Sequence, residues 1–420
     1  MTELVRTLTD LAQSSDPKLV ALAERIRTAQ EAGLVSDNVA VFPGFSDVHV
    51  HFREPGQTYK ETIATGTRAA ARGGFTTVCT MPNLDPVPDT LETLALEEAS
   101  IARDALIETL PYASTTMGQQ GKEPTDIATL AKRAVAFSDD GHGVNDPDIM
   151  RHTLREIAKA NSIIAIHSED SALAPAGYCI NDGPYAAKHG YVGIPKAAEY
   201  EQIRRDIDLL RELAQDDIYP AYHVCHISCG ESADLIRQAR AEGLNVTCET
   251  AAHYLFLDES MLEEDGRFKM NPPLREPADR EALVEALRDG TIDVLATDHA
   301  PHSAEEKGRG LQGSAFGVVG IEFSFPLVYT YAVKTGIISL ERAVELFTSA
   351  GRDRFNIPTR DTDLTVWDLG AELTIDPDDF ASLGRATPFA GWKINGRCLA
   401  TIYDGVEVYS SVDGVDVFAK

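Results

Sequence analysis

Between residues 44 and about 300 the chain alternates short β-branched runs with amphipathic helical patterns, and no other feature limits its fold so strongly. Eight runs read as strands: FSDVHVHF (45–52), FTTVCTMP (75–82), IETLPYAST (107–115), AVAFSDD (134–140), SIIAIHSED (162–170), YPAYHVCHIS (219–228), NVTCETAAHYLFL (245–257) and IDVLATDHAPH (292–302). Stretches such as KETIATGTRAAARGG, DIMRHTLREIAKAN and DREALVEALRDG separate them, with Gly or Asn near their ends as helix stops. Strands that alternate with helices lie parallel, and eight such units favour a closed (β/α)8 barrel over an open sheet. Residues 1–35 have helical periodicity, so 1–40 read as a helical N-terminal extension, 41–355 as the barrel, and 356–420 as a small satellite β segment. The extension is expected to cover the exposed edge of the satellite sheet or to touch another subunit, because an open edge invites unwanted pairing.

Barrels of this kind build their sites at the C-terminal ends of the strands. His49 and His51, Asn83, Asp140, His167, His226 and Asp298 all fall at or near such ends, so they can converge on one mouth. Alternation along DVHVHF puts His49 and His51 on one face and Val48, Val50 and Phe52 on the other. Two imidazoles side by side in a core are unfavourable unless something binds both, and a borderline metal such as Zn2+ prefers nitrogen ligands. With Asp140, His167, His226 and Asp298 the mouth would hold four imidazoles and two carboxylates, enough for two ions if Asp140 bridges them.

Charge narrows the partners. A net charge of −28 and a pI near 4.7 argue against nucleic acid and anionic membrane, which need a cationic surface. The N-terminus has no apolar leader-like core and no apolar run approaches bilayer length, so a cytoplasmic location is expected. Six cysteines in so long a chain, several inside apolar strand runs, resemble buried free thiols rather than a disulfide framework.

DVHVHFREPG, with MPN, FSDDG, HSED, HIS, KMNPPLR and TDHAPH, resembles the dihydroorotases of the amidohydrolase superfamily. The type it resembles is the bacterial one, in which aspartate stands where many relatives carry a carboxylated lysine. The resemblance covers the barrel almost end to end. It implies a metal-bearing (β/α)8 barrel that reversibly hydrolyses the cyclic amide of L-dihydroorotate to N-carbamoyl-L-aspartate in pyrimidine (UMP) biosynthesis. By matching position it implies His49 and His51 on the more buried metal, His167 and His226 on the other, Asp140 as the bridge, and one or two zinc ions. Asp298 would approach the first metal and act as catalytic base, then acid, toward the departing amide nitrogen. The resemblance gives the substrate carboxylate to Arg53, Asn83 and His302, with Asn271 in the same pocket; the planar fork of an arginine suits such a group.

Allantoinases resemble this stretch but generally carry asparagine where Arg53 stands, and hydantoinases lack the REPG sequence and usually keep the lysine bridge. Those related cyclic amidohydrolases are the nearer alternatives. A non-catalytic dihydroorotase-like partner of aspartate transcarbamoylase is the other, although such proteins typically have lost ligands and this chain retains all six. A homo-oligomer and a complex with aspartate transcarbamoylase both remain open as partners. His299 is turned away from Asp298 by alternation, and Glu169 and Asp139 are candidates to orient ligands. Segment 303–317, with four glycines, suits a mobile loop over the site or a plain surface connection.

Overall fold

The structure, a computed structural model, describes residues 4–419. All eight expected strand segments are present, as Phe45–Val50, Phe75–Thr80, Glu108–Pro111, Phe137–Ser138, Ile163–Ile166, Ala221–Val224, Val246–Thr250 and Val294–Leu295. They pair in parallel in chain order, the third continuing through Ala113–Ser114 to meet the fourth at Phe137. The ring closes where the eighth strand runs on past Leu295: the His51 amide donates to the His299 carbonyl at 2.9 Å, and Val50 forms a parallel bridge with His299. The first and last segments of the barrel are therefore neighbours.

Local chemistry sets the helix limits. Thr62 caps Ile63–Arg72, which stops at Gly73, and Asp146 caps Pro147–Ala160, whose proline sits in the first turn and whose end is Asn161 at φ 50°. Val50 and Phe52 belong to the main core, and Gly66 is required there because a side chain at that position would collide with the Phe52 ring. A second apolar cluster gathers Cys79, Tyr112, Ala136, Ala165, Cys225 and Ala296 from the barrel strands against Phe355 and Ile357, as expected of a barrel whose interior is filled. All six cysteines are buried free thiols.

Two expectations need correction. The seventh strand ends at Thr250, and Ala252–Phe256 is a helical turn that buries His253, Tyr254, Leu255 and Phe256. A short run of continuous apolar residues fits a buried helix as well as a strand, so AAHYLFL carries no periodicity that decides between them. The N-terminal segment is not purely helical either. Helices Leu8–Ala12 and Pro17–Glu31 form, but Arg6–Thr7 pairs with Val39–Pro43, which in turn pairs with Leu364–Thr374, so a boundary at 40/41 would cut a satellite strand. The satellite sheet continues through Lys393–Tyr403, Val406–Ser410 and Val417–Phe418, antiparallel throughout. Helix Pro17–Glu31 buries Leu22, Ala23, Ile26 and Ala29 against Val41, Leu364, Val366, Leu399 and Ile402, covering a face of that sheet rather than its edge. An apolar stripe on a helix requires an apolar face, whereas an edge requires backbone donors and acceptors, which the Arg6–Thr7 strand supplies.

One buried acid in the wall makes stability depend on pH. Glu97, on helix Leu91–Asp104, is fully enclosed, and burial pushes it up to about 8 despite the 2.6 Å hydrogen bond from the Thr80 hydroxyl. Its second oxygen has no partner among the described residues. A carboxyl raised in the folded state binds its proton more tightly there than in the unfolded chain. Its contribution is therefore greatest below the unfolded value near 4.5 and is lost as pH climbs to about 8. Glu97→Gln should remove that slope and, above pH 8, stabilise the protein by about 2–5 kcal/mol relative to the parent. Denaturant titrations of both proteins at pH 5 and pH 9 measure it; equal stability differences at the two pH values would refute it.

Candidate metal centre and substrate pocket

Six side chains expected at the mouth meet there, all buried. His49 and His51 project from the end of the first strand, and Asp140 follows the fourth. His167 and His226 follow the fifth and sixth, and Asp298 stands just beyond the eighth. Asp140 lies between the histidines: its Oδ1 is 3.4 Å from His49 Nε2, 3.6 Å from His226 Nε2 and 3.8 Å from His167 Nδ1, and its Oδ2 is 3.5 Å from His51 Nε2. Two metal-sized groupings result, His49–His51–Asp140 and Asp140–His167–His226, with Asp140 common to both. Asp298 Oδ1 is 3.0 Å from His51 Nε2 and 3.6 Å from His49 Nε2.

The donor set fits cations. His49 Nε2 and Asp140 Oδ1 are fully buried and have no hydrogen-bond partner among the described residues, an arrangement that costs free energy unless a further group binds there. The opposite nitrogens of the first pair are already committed. His49 Nδ1 donates to Glu249 Oε1 at 2.6 Å, and His51 Nδ1 to Asn83 Oδ1 at 2.8 Å, which turns both Nε2 atoms toward the centre. A third grouping, His49–Cys225–Glu249, is a support rather than a metal site. Its histidine nitrogen is spent on Glu249, and burial, with the Glu249 charge, pushes the Cys225 thiol above the range in which it ionises.

Electrostatics agree. Burial alone would raise Asp140, but His49, His226 and His51 hold it well below the usual carboxylate range. Burial likewise opposes the charge on Asp298, yet the His51 hydrogen bond and the nearby imidazoles keep it ionised far down the pH scale. Glu249 is held at about 2, against burial, by His49 and His223.

Arg53, just past the ligands, is 6% exposed and forms no ion pair among the described residues. Its Nε donates to the Pro301 carbonyl at 3.3 Å, and its Nη2 lies 3.4 Å from His302 Nε2, which itself meets the Phe316 carbonyl at 2.7 Å. Asn271 Nδ2 donates to Glu169 at 2.8 Å and to the Tyr178 hydroxyl at 3.1 Å, and lies 3.3 Å from His167 Nε2. Asn83 also reaches Asp140, at 3.3 Å, so its amide spans two of the cluster's members. Glu169 Oε2 stands 3.7 Å from His167 Nε2. Asp139 instead accepts from the Thr115 and Thr116 amides and shapes that loop, and His299 turns away toward Glu61, 3.5 Å off.

Sequence reading missed Glu249 and His223. Glu249 binds His49 Nδ1 on one side and His223 Nε2, at 3.2 Å, on the other. The available signal was a carboxylate inside an apolar strand, where burial demands a partner. Arg53, His226 and Asp298 also adopt left-handed φ values of 56°, 31° and 46°. Such strain at non-glycine residues gathers at functional sites and has no mark in composition.

Comparison with known proteins extends this picture. The Dihydro-orotase-like family model matches residues 39–232. A dihydroorotase of Bacillus cytotoxicus is 45% identical over 403 residues, covering 94% of this chain and 92% of the relative. A dihydroorotase of Shouchella clausii is 48% identical over 377 residues, covering 88% and 87%. Among solved structures, the L-hydantoinase of Arthrobacter aurescens superposes with a TM-score of 0.75 at 25% identity, covering 90% of this chain and 86% of its own. The D-hydantoinase of Thermus sp. gives 0.77 at 25% identity, with the same coverage.

Proposed function

This chain belongs to the dihydroorotase family, cyclic amidohydrolases that open L-dihydroorotate reversibly in pyrimidine biosynthesis, and from that premise we propose how its own residues carry the reaction. His49, His51 and Asp140 would hold one divalent cation and Asp140, His167 and His226 a second, with zinc as the metal that suits this nitrogen-rich set. The orphaned His49 Nε2 and Asp140 Oδ1 support that reading. When bound, such ions supply Lewis acidity toward a carbonyl oxygen and lower the pKa of water. Asp298, within 3.6 Å of both imidazoles of the first pair, takes the proton of the attacking water and delivers it to the departing ring nitrogen. Arg53 receives the substrate carboxylate, with His302 and Asn271 beside it. Asn83 orients His51 and Asp140, and Glu249 fixes the tautomer of His49.

The observation that carries the substrate assignment is Arg53. A buried guanidinium with no acidic partner among the described residues, opening beside the histidine cluster, is matched by a ring that bears a carboxylate. Hydantoin and allantoin carry none. The test is turnover of L-dihydroorotate, hydantoin and allantoin by the purified protein, with bound zinc counted in the same sample. We expect chelator-sensitive opening of dihydroorotate, and an Arg53→Met variant whose KM for it rises about 10- to 100-fold, the worth of a charge-assisted hydrogen bond. Preferential opening of hydantoin or allantoin, or turnover that survives complete removal of metal, would overturn the assignment. No helix among the described residues is long and apolar enough to cross a membrane; a cytoplasmic location is part of the proposal. Native mass of the same preparation, alone and mixed with aspartate transcarbamoylase, tests a homo-oligomer against a mixed complex.

A further inference from the structure

Lys307 is buried, yet among the described residues no carboxylate pairs with it. Its ammonium instead donates to three converging backbone carbonyls, Gly317 at 2.7 Å, Ala315 at 2.8 Å and Lys269 at 3.0 Å. Enclosing a cation without a counter-ion is costly, so an arrangement that spends all three donors on carbonyl oxygens has to be explained by what it holds in place.

What it holds is the rim of the substrate pocket. Segment 303–317 folds into two short helices, Ala304–Lys307 and Gly310–Gly313, and then doubles back. Ala315 and Gly317 bracket Phe316, whose carbonyl meets His302 Nε2, and His302 in turn lies against Arg53. The third carbonyl belongs to Lys269, two residues before Asn271, and it also accepts from the Gly317 amide at 3.0 Å. Lys269 adds a second tie by donating to the Gln312 carbonyl at 2.8 Å, and its ammonium lies 4.4 Å from the Phe316 ring centre. The Phe316 ring packs on Tyr178, which receives the Asn271 amide. One ammonium thus joins the two loops that carry His302 and Asn271.

We propose that Lys307 is a positioning residue for the substrate carboxylate, fixing the Phe316 carbonyl so that His302 and Arg53 keep their place opposite Asn271. This rests on the pocket assignment made above. Lys307 touches neither the histidine cluster nor Asp298, so its effect falls on substrate affinity and leaves the proton-transfer step alone.

The test is Lys307→Met, which keeps the length of the side chain and removes its donors. Three quantities are measured on the metal-loaded protein: bound zinc, KM and kcat for L-dihydroorotate, and the Kd by calorimetry of orotate, a planar analogue with the same ring carboxylate. KM and the orotate Kd should each rise at least about tenfold, with kcat within about threefold of the parent and zinc unchanged. Unchanged KM and Kd would overturn the proposal, as would a fall of kcat and zinc in step with affinity, which marks general loosening. If the methionine variant does not fold, Lys307→Arg decides the matter. Its planar group cannot bring one nitrogen to three converging carbonyls, so affinity should fall at least about fivefold at full zinc occupancy, and parental affinity would refute the role. Orotate separates the two readings. Parent protein that binds orotate but never opens dihydroorotate counts against the reaction, while the variants still decide Lys307.

Discussion

Asp298→Asn is expected to lower kcat by about 10²- to 10⁴-fold while leaving bound metal and KM close to those of the parent. The substitution is a clean one for structural reasons. Asp298 sits at φ 46°, a left-handed conformation that asparagine tolerates better than most residues, and an amide keeps the size and shape of the carboxylate 3.0 Å from His51 Nε2. What disappears is the capacity to receive and return a proton. Pre-steady-state and steady-state rates on zinc-counted protein measure the loss. A variant that keeps its metal and retains more than about a tenth of the parental kcat would remove Asp298 from the proton path.

Asp140→Ala should be more damaging still, because the residue belongs to both groupings that could hold a metal ion. It stands within 3.8 Å of all four cluster histidines, and His167 and His226 are only 4.8 Å apart between ring centres. Losing the outer partner of one ligand typically costs 10- to 100-fold in metal affinity or activity. Losing a shared ligand should exceed that, so we expect at least one zinc fewer per chain and kcat reduced by about 10³-fold or more. Metal analysis after exhaustive dialysis, paired with the rate, is the measurement. Full zinc content in the alanine variant would show that the carboxylate is not a ligand.

Most of the fold and the centre of the site can be read in the sequence because each rests on a short-range pattern. HVH declares a shared face through strand alternation, and SDD, HSED, CHIS and TDHAPH end strands whose apolar runs are plain. The barrel follows from the number of such units. What stays hidden depends on contacts between distant segments. Glu249 is one carboxylate in VTCET until His49, from the first strand, is laid against it. The Arg6–Thr7 strand is too short to have a period and exists because Val39–Pro43 offers it an edge. AAHYLFL is apolar on every side, and tertiary packing decides its conformation. The glycine-rich composition of segment 303–317 suggests mobility, whereas the bonds that tie it come from a lysine whose burial depends on its surroundings.

The seam between the first and last barrel strands has a consequence for how the protein is made. His51 and Asp298 are 247 residues apart in the chain, yet they meet across the seam where the His51 amide bonds to His299. Contacts of such long range form late, after the entropy of closing the intervening chain has been met. A nascent chain that has emerged only through its seventh strand has both histidines of the first pair and no Asp298 to set beside them. Appearance of the complete centre during synthesis or refolding would therefore report ring closure itself, one event that separates an almost finished barrel from a working one.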